Sequence, residues 1–183
     1  MSLCAIGNFA ARVCCGLGLF GLCLISAPAD AQEAKEAAQP KKVVFLAGTP
    51  SHGYGAHEHL AGCRILAEAV ERAAPKISCE VYSGGWPEDE SVLDDADTIV
   101  MYCDGGDGHP ALKHLDTLDK HIQRGAGFVC LHYAVEVPKE RGGPEFLKWL
   151  GGYFETHWSV NPHWTADFTM LPDHAITRGV KPF

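Results

Sequence analysis

Short uninterrupted apolar runs alternate with amphipathic stretches along most of this chain. Val43-Val44-Phe45-Leu46-Ala47 is apolar at every position and ends at Gly48-Thr49-Pro50, the pattern of a strand buried on both faces. From His57 to Ala74, the residues Leu60, Ala61, Ile65, Leu66, Ala69, Val70 and Ala73 recur at helical spacing, and Pro75 stops the run. Ile77 to Tyr82 reads as a second strand, closed by Ser83-Gly84-Gly85-Trp86-Pro87, with Val92 and Leu93 on a short helix beyond it. Asp97 to Cys103 is a third strand. Pro110 suits the first turn of a helix that runs to Arg124. Leu112, Leu115, Leu118, His121 and Ile122 are spaced as its core face, and Gly125 fits its C-terminal cap. Ala126 to His132 is a fourth strand. Pro144 to Leu150 reads as a short helix ended by Gly151-Gly152, and His163 to Leu171 alternates weakly, as a strand would.

Strands alternating with helices imply parallel pairing through crossover connections. The expected fold is α/β, a doubly wound and mostly parallel sheet. Such sheets take ligands outside the C-terminal ends of their strands. The loops that begin at Gly48, Asp104 and His132 should therefore share one rim.

The first residues form a separate unit. Arg12 precedes an uncharged apolar run from Val13 to Ile25, and Ala27-Pro28-Ala29-Asp30-Ala31 follows. This is the order of a secretory signal, too short in its apolar part for a spanning helix. Residues 1–31 are thus expected to be a signal peptide cleaved after Ala31, residues 32–42 a flexible polar lead-in, and residues 43–183 one domain, exported to the periplasm or outside the cell. The chain stops at Pro182-Phe183 without a capping signal, which points to a domain truncated at its C-terminus.

Composition narrows the partners. Of 183 residues, 46% are hydrophobic, enough for one packed core, and the formal net charge is -8. That balance excludes an electrostatic grip on nucleic acid and on anionic membrane surfaces. A neutral polar ligand such as a small-molecule sugar is compatible with it. Cys63, Cys79, Cys103 and Cys130 remain after signal cleavage, each within an apolar pattern, and read as small buried hydrophobes. Their spacing defines no disulfide framework.

Histidines dominate the expected rim. The first loop runs Thr49-Pro50-Ser51-His52-Gly53-Tyr54-Gly55-Ala56-His57-Glu58-His59, the second runs Asp104-Gly105-Gly106-Asp107-Gly108-His109-Pro110, and the third is His132-Tyr133-Ala134-Val135-Glu136. His132 is the most informative. A strand that turns sharply holds one side chain over the sheet edge and needs small residues two positions either side. Cys130 and Ala134 meet that need around His132, whereas an elbow centred on Cys130 would have Phe128 and His132 there. The alternative for His132 is a strand-ending histidine bonded within the core. Gly105 and Gly106 can offer backbone N–H groups to a hydroxyl, or can form a plain glycine turn. His52, His57, His59, His109, His132 and His163 can supply imidazoles to a zinc or manganese ion, or can serve as hydrogen-bonding and capping groups. His57 and His59, two apart on the expected helix, diverge and are not expected to share an ion. Trp86, Trp158, Trp164, Tyr54, Tyr133 and Tyr153 suit stacking on a sugar ring and equally suit ordinary packing.

Four motifs in order resemble the ThuA-like (trehalose-utilisation) branch of the class I glutamine amidotransferase-like superfamily: Leu46-Ala47-Gly48-Thr49-Pro50-Ser51-His52, Asp97 to Gly106, Gly127-Phe128-Val129-Cys130-Leu131-His132, and His174-Ala175-Ile176-Thr177-Arg178-Gly179-Val180. The resemblance spans Lys42 to Phe183. It implies a flavodoxin-like fold and a role in the catabolism of trehalose, related disaccharides or keto-sugars. In amidotransferases the elbow carries a catalytic cysteine; here the position is His132, so thiol-dependent amidotransferase activity is not expected. The family motif has Pro where this chain has Ala175, and ThuA-like domains continue past the position of Phe183. The expectation is a sugar-acting enzyme, hydrolase or lyase, in which His132, His52 and Asp104 carry the chemistry. Gly105, Gly106, Tyr133, Glu136, His163 and Trp164 would contact substrate, and His52, His109 and His132 would hold any divalent metal. The competing expectations are a non-catalytic carbohydrate-binding domain of the same fold and a truncated inactive product.

Overall fold

In the computed structural model, residues 39–183 are described; the expected signal peptide and most of the lead-in lie outside them. Four strands form one parallel sheet: β1 (Lys41–Ala47), β2 (Ile77–Ser83), β3 (Thr98–Tyr102) and β4 (Gly127–Leu131), in the order β2-β1-β3-β4. Lys41 and Lys42, assigned to the lead-in from sequence, are the first residues of β1 and pair with Ile77 and Ser78. The expected α/β class and doubly wound parallel sheet are both present.

The pleat divides the core between two faces. Val44, Leu46, Ile99 and Met101 point to one side, where Leu118 of α2 (Leu115–Gln123) and Phe146 of α3 (Gly143–Leu150) cover them. Phe45, Ala47 and Val100 point to the other, against Cys63 and Ala67 of α1 (His59–Ala73). Strands that bury both faces must be apolar throughout, which is why β1 and β3 carry no alternation.

Three local expectations are corrected. The buried stripe of α1 is His59, Cys63 and Ala67, while Ile65 is 67% exposed and Leu66 40% exposed. Small residues let the helix lie close to the sheet: a Cβ at Gly62 would come within 2.6 Å of the Tyr102 ring. The helix expected from Pro110 to Arg124 is split into a 3-10 turn, Pro110–Lys113, and α2, because His114 leaves helical geometry at φ -133°. His163–Leu171 forms no strand. Phe168 instead exchanges backbone hydrogen bonds of 2.9 and 3.3 Å with Phe183, their rings 5.0 Å apart.

Two further strands, β5 (Glu136–Val137) and β6 (Phe154–Glu155), pair with each other in parallel beside the rim. In the main sheet the chain runs from β1 outward to β2, then returns to β3 and β4 on the other side. The reversal falls between β1 and β3, the place where an open sheet leaves a crevice for ligands.

Candidate functional site

The loop after β1 turns back on itself through Gly53 and Gly55, at φ +93° and +77°, and closes with an antiparallel bridge between Ser51 and His57. This turn sets His57 on the rim rather than in the helix, which begins two residues later. The loop after β3 supplies Asp104. The chain leaving β4 enters a 3-10 turn, His132–Val135, with His132 at φ +57°. A left-handed conformation at a non-glycine residue is uncommon and marks a position held by its surroundings. The small neighbours hold it: Ala134 is fully buried and Cys130 packs into the core.

These elements bring six polar groups together. His57 Nδ1 lies 2.9 Å from Asp104 Oδ1, 2.8 Å from Ser51 Oγ and 3.0 Å from His52 Nδ1. His57 Nε2 lies 3.2 Å from His132 Nε2. His59 is fully buried beneath them, its Nδ1 2.9 Å from the Thr49 carbonyl and its Nε2 3.8 Å from Asp104 Oδ1. A carboxylate only accepts, so the hydrogen facing Asp104 belongs to His57 Nδ1. In neutral His57, Nε2 is then the acceptor, and His132 Nε2–H donates to it. The result is an Asp104–His57–His132 chain that leaves Nδ1 of His132 with its lone pair.

Electrostatics follow the geometry. Burial works to raise the Asp104 pKa, but hydrogen bonds from Ser51 and His57 and the nearby imidazoles outweigh it and hold the carboxyl below its ordinary value. His132 is held below the ordinary histidine value by partial desolvation and then by the His57 and His59 imidazoles, against the pull of Asp104. The elbow thiol is inert at neutral pH: burial pushes Cys130 up to about 12.

A cleft of about 420 Å³ opens beside this cluster, lined by His52, Asp104, Gly105, Tyr133, Glu136, Phe154, Ser159 and Asn161. Asn161 Nδ2 donates to the Tyr133 hydroxyl at 2.6 Å, and the Tyr133 ring sits 4.4 Å from that of His132. The β5–β6 pairing carries residues 154–161 to this edge. Gly105 has a steric reason to be glycine: a Cβ there would meet the carbonyl oxygens of Tyr133 and Glu136 at 2.5 and 2.7 Å. Gly106, at φ +70°, opens the 3-10 turn Gly106–Gly108.

The metal-ligating set differs from the one expected. His52, His57 and Asp104 present one donor atom each within 4.8 Å of one another, a group that could hold a metal ion. His132 contacts the far side of His57. His109 is elsewhere: it is 2% exposed, its Nε2–H donates to the Ala134 carbonyl at 3.0 Å, and its Nδ1 accepts from the Ala111 N–H at 3.1 Å. With both ring nitrogens engaged, His109 caps the Pro110–Lys113 turn and has no free donor. His163 and Trp164 lie on an exposed irregular segment, and among the described residues neither bonds to the cluster. Trp86 stacks on His114 at 4.3 Å, away from the cleft. Ser51 and Asn161 were given no role from sequence, and His57 and His59 were not expected to share an ion. Paired glycines at 53 and 55 were the one local signal that His57 sits on a loop.

No family model, no curated protein and no solved structure matches this chain.

Proposed function

We propose that this chain is an exported protein of carbohydrate catabolism that acts on a disaccharide or keto-sugar at the histidine cluster. The observation that carries a site is the convergence of His52, His57, Asp104 and His132 at the C-terminal ends of β1, β3 and β4; the sugar class follows from the resemblance of the chain's motifs to ThuA-like proteins. Open parallel sheets bind ligands there. In the metal-free chain His132 acts as general base through its free Nδ1, since an imidazole exchanges protons near neutral pH. Asp104 and His57 fix its tautomer through the hydrogen-bond chain. Tyr133, Asn161 and Glu136 offer hydroxyl-binding groups and one aromatic face along the cleft. Thiolate catalysis has no support, because the Cys130 thiol stays protonated. The apolar run Val13–Ile25 followed by Ala29-Asp30-Ala31 supports export.

A divalent ion, zinc or manganese, fits the donor set. Two imidazoles and a carboxylate suit either ion. One donor atom of each residue lies within 4.8 Å of the others, near enough to face a single ion. His52, His57 and Asp104 would hold the ion in place of the Nδ1 hydrogen of His57, whose Nε2–H would then donate to His132 Nε2; the ion would polarise a sugar carbonyl or hydroxyl.

Elemental analysis of the tag-free chain, paired with turnover assays on disaccharides and keto-sugars, tests the reading. The expected result is about one ion per chain and turnover that His132→Ala abolishes. Unchanged kinetics in His132→Ala would remove His132 from the chemistry. Sugar binding without turnover, insensitive to that substitution, would make this a carbohydrate-binding domain instead.

A further inference from the structure

His59 is a buried histidine that the chemistry above does not use. It is 0% exposed, and its Nε2 has no hydrogen-bond partner. Its tautomer is fixed by its other nitrogen. The Thr49 carbonyl, 2.9 Å from Nδ1, can only accept, so Nδ1 carries the hydrogen and Nε2 of the neutral ring carries a lone pair. That lone pair faces Asp104 Oδ1 at 3.8 Å. Two electron-rich atoms, one of them buried and without a donor, oppose each other across a gap too narrow for a bridging water. An unsatisfied buried nitrogen costs about 1–3 kcal/mol. A cation between the two atoms removes the conflict.

Three features make that cation a metal ion. A single ion about 2.0–2.2 Å from nitrogen and from oxygen spans a separation of this size at an angle wider than tetrahedral. Metal-ligating histidines commonly donate their other ring N–H to a backbone carbonyl or carboxylate, which fixes the ring and raises its basicity; His59 does this to Thr49. The ring is also locked in place, edge-on to Tyr102 at 4.8 Å, with Gly48 so close that a Cβ there would come within 3.1 Å of Nδ1. His52, by contrast, is exposed and free to adjust.

We infer that His59 Nε2 is the buried anchor of the metal centre, a third imidazole that joins Asp104 from below while His52 and His57 close over the ion from the solvent side. The inference rests on the metal reading above and goes beyond it in adding His59, which lies outside the three atoms already gathered within 4.8 Å. On loading, the exposed imidazoles shift toward the fixed pair formed by His59 and Asp104. The site then has three nitrogens and one carboxylate oxygen, a full four-ligand shell that would take substrate or water only by expanding to five-coordination.

The test is zinc K-edge X-ray absorption on the full chain loaded with one equivalent of zinc, in which outer-shell scattering counts imidazoles. Three imidazoles are expected. Two imidazoles with zinc bound would overturn the role of His59 and leave the His52–His57–Asp104 centre standing. No zinc bound by the folded chain would sink the metal centre and this inference together. A second readout uses His59→Gln. Zinc affinity measured by competition with a chelator is expected to fall about 100-fold or more, with a thermal melt confirming that the variant folds. A folded His59→Gln chain that binds zinc as tightly as the parent would also overturn the proposal. Should the variant fail to fold, the imidazole count of the unsubstituted chain decides.

Discussion

The Nε2 atoms of His57 and His132 stand 3.2 Å apart, although the residues are separated by 75 positions in the chain. The contact joins the loop after β1 to the turn after β4, and Asp104, 2.9 Å from the other nitrogen of His57, extends it to β3. Three strand ends thus share one hydrogen-bonded line. His132→Ala removes the proposed base at its end, and kcat/KM on the proposed sugar substrate is expected to drop about 10²–10⁴-fold. His57→Ala removes both the partner that orients His132 and one of the three groups that would hold the ion, so a loss in kcat is expected there too. Equal kinetics for His57→Ala and the parent chain would show that the line is structural only.

The cysteines provide a contrasting prediction. Cys103 and Cys130 are both pushed up to about 12 and Cys63 to about 11, chiefly by burial. At pH 7.5 all three stay thiols, the unreactive form. Iodoacetamide applied to the native chain is expected to leave them unmodified, and intact-mass measurement reads the outcome. Cys130→Ala should retain turnover while losing on the order of 1 kcal/mol of stability from the lost sulfur. Rapid alkylation of Cys130 would reopen thiol chemistry at the elbow.

How far the chain could be read without its structure depends on how local each signal is. The β1 and β3 runs are apolar at every position because both faces are buried, so strand type and parallel pairing were legible. The turn at His132 was legible because Cys130 and Ala134 leave room for it. His57 was not, because whether it begins α1 or ends the preceding loop is decided by the Ser51–His57 bridge. His109 misled for the converse reason: it stands in a glycine-rich rim loop, yet its ring turns inward to the Ala134 carbonyl and the Ala111 N–H. Asn161 reaches the cleft through the pairing of Glu136 with Phe154, a two-residue strand contact that leaves no periodicity to detect.

Gly105 is where packing and the cleft meet. A methyl group at this position would press on the carbonyl oxygens of Tyr133 and Glu136, at 2.5 and 2.7 Å. Gly105→Ala is expected to destabilise the chain by about 1–3 kcal/mol, as overpacking does. It should also displace Tyr133 and Glu136 and raise KM for the proposed sugar substrate. Gly106→Ala has open space around its Cβ but stands at φ +70°, so its cost, on the order of 1 kcal/mol, is purely conformational. Urea unfolding of the two variants separates these origins. A larger loss from Gly106→Ala than from Gly105→Ala would contradict the close approach.

His109 links stability to pH, and its sign follows from its bonds. Nε2–H donates to Ala134 while Nδ1 accepts from Ala111 N–H, so the folded chain holds the ring neutral. Burial lowers its pKa, more than the hydrogen bond to the Ala134 carbonyl raises it. His121 shifts the same way, through burial and then the nearby Arg124 and Lys120 charges. Above the unfolded value of 6.5 both states are neutral and these groups leave stability untouched. As pH falls through that value, the unfolded chain takes up protons that the folded chain refuses. The unfolded state then binds more protons, so stability declines until the depressed folded values are reached. Carboxylates such as Asp97 and Asp119, held low chiefly by Lys41 and Lys148, lose their contribution only at more acidic pH. Chemical unfolding between pH 8 and 5 therefore isolates the histidines. The expected result is a flat stability from pH 8 to 7 and a progressive loss below it. His109→Gln, less stable overall, should show a shallower loss over the same interval. An identical slope in parent and variant would mean that His109 takes up its proton in the folded chain, at odds with the two bonds that hold it.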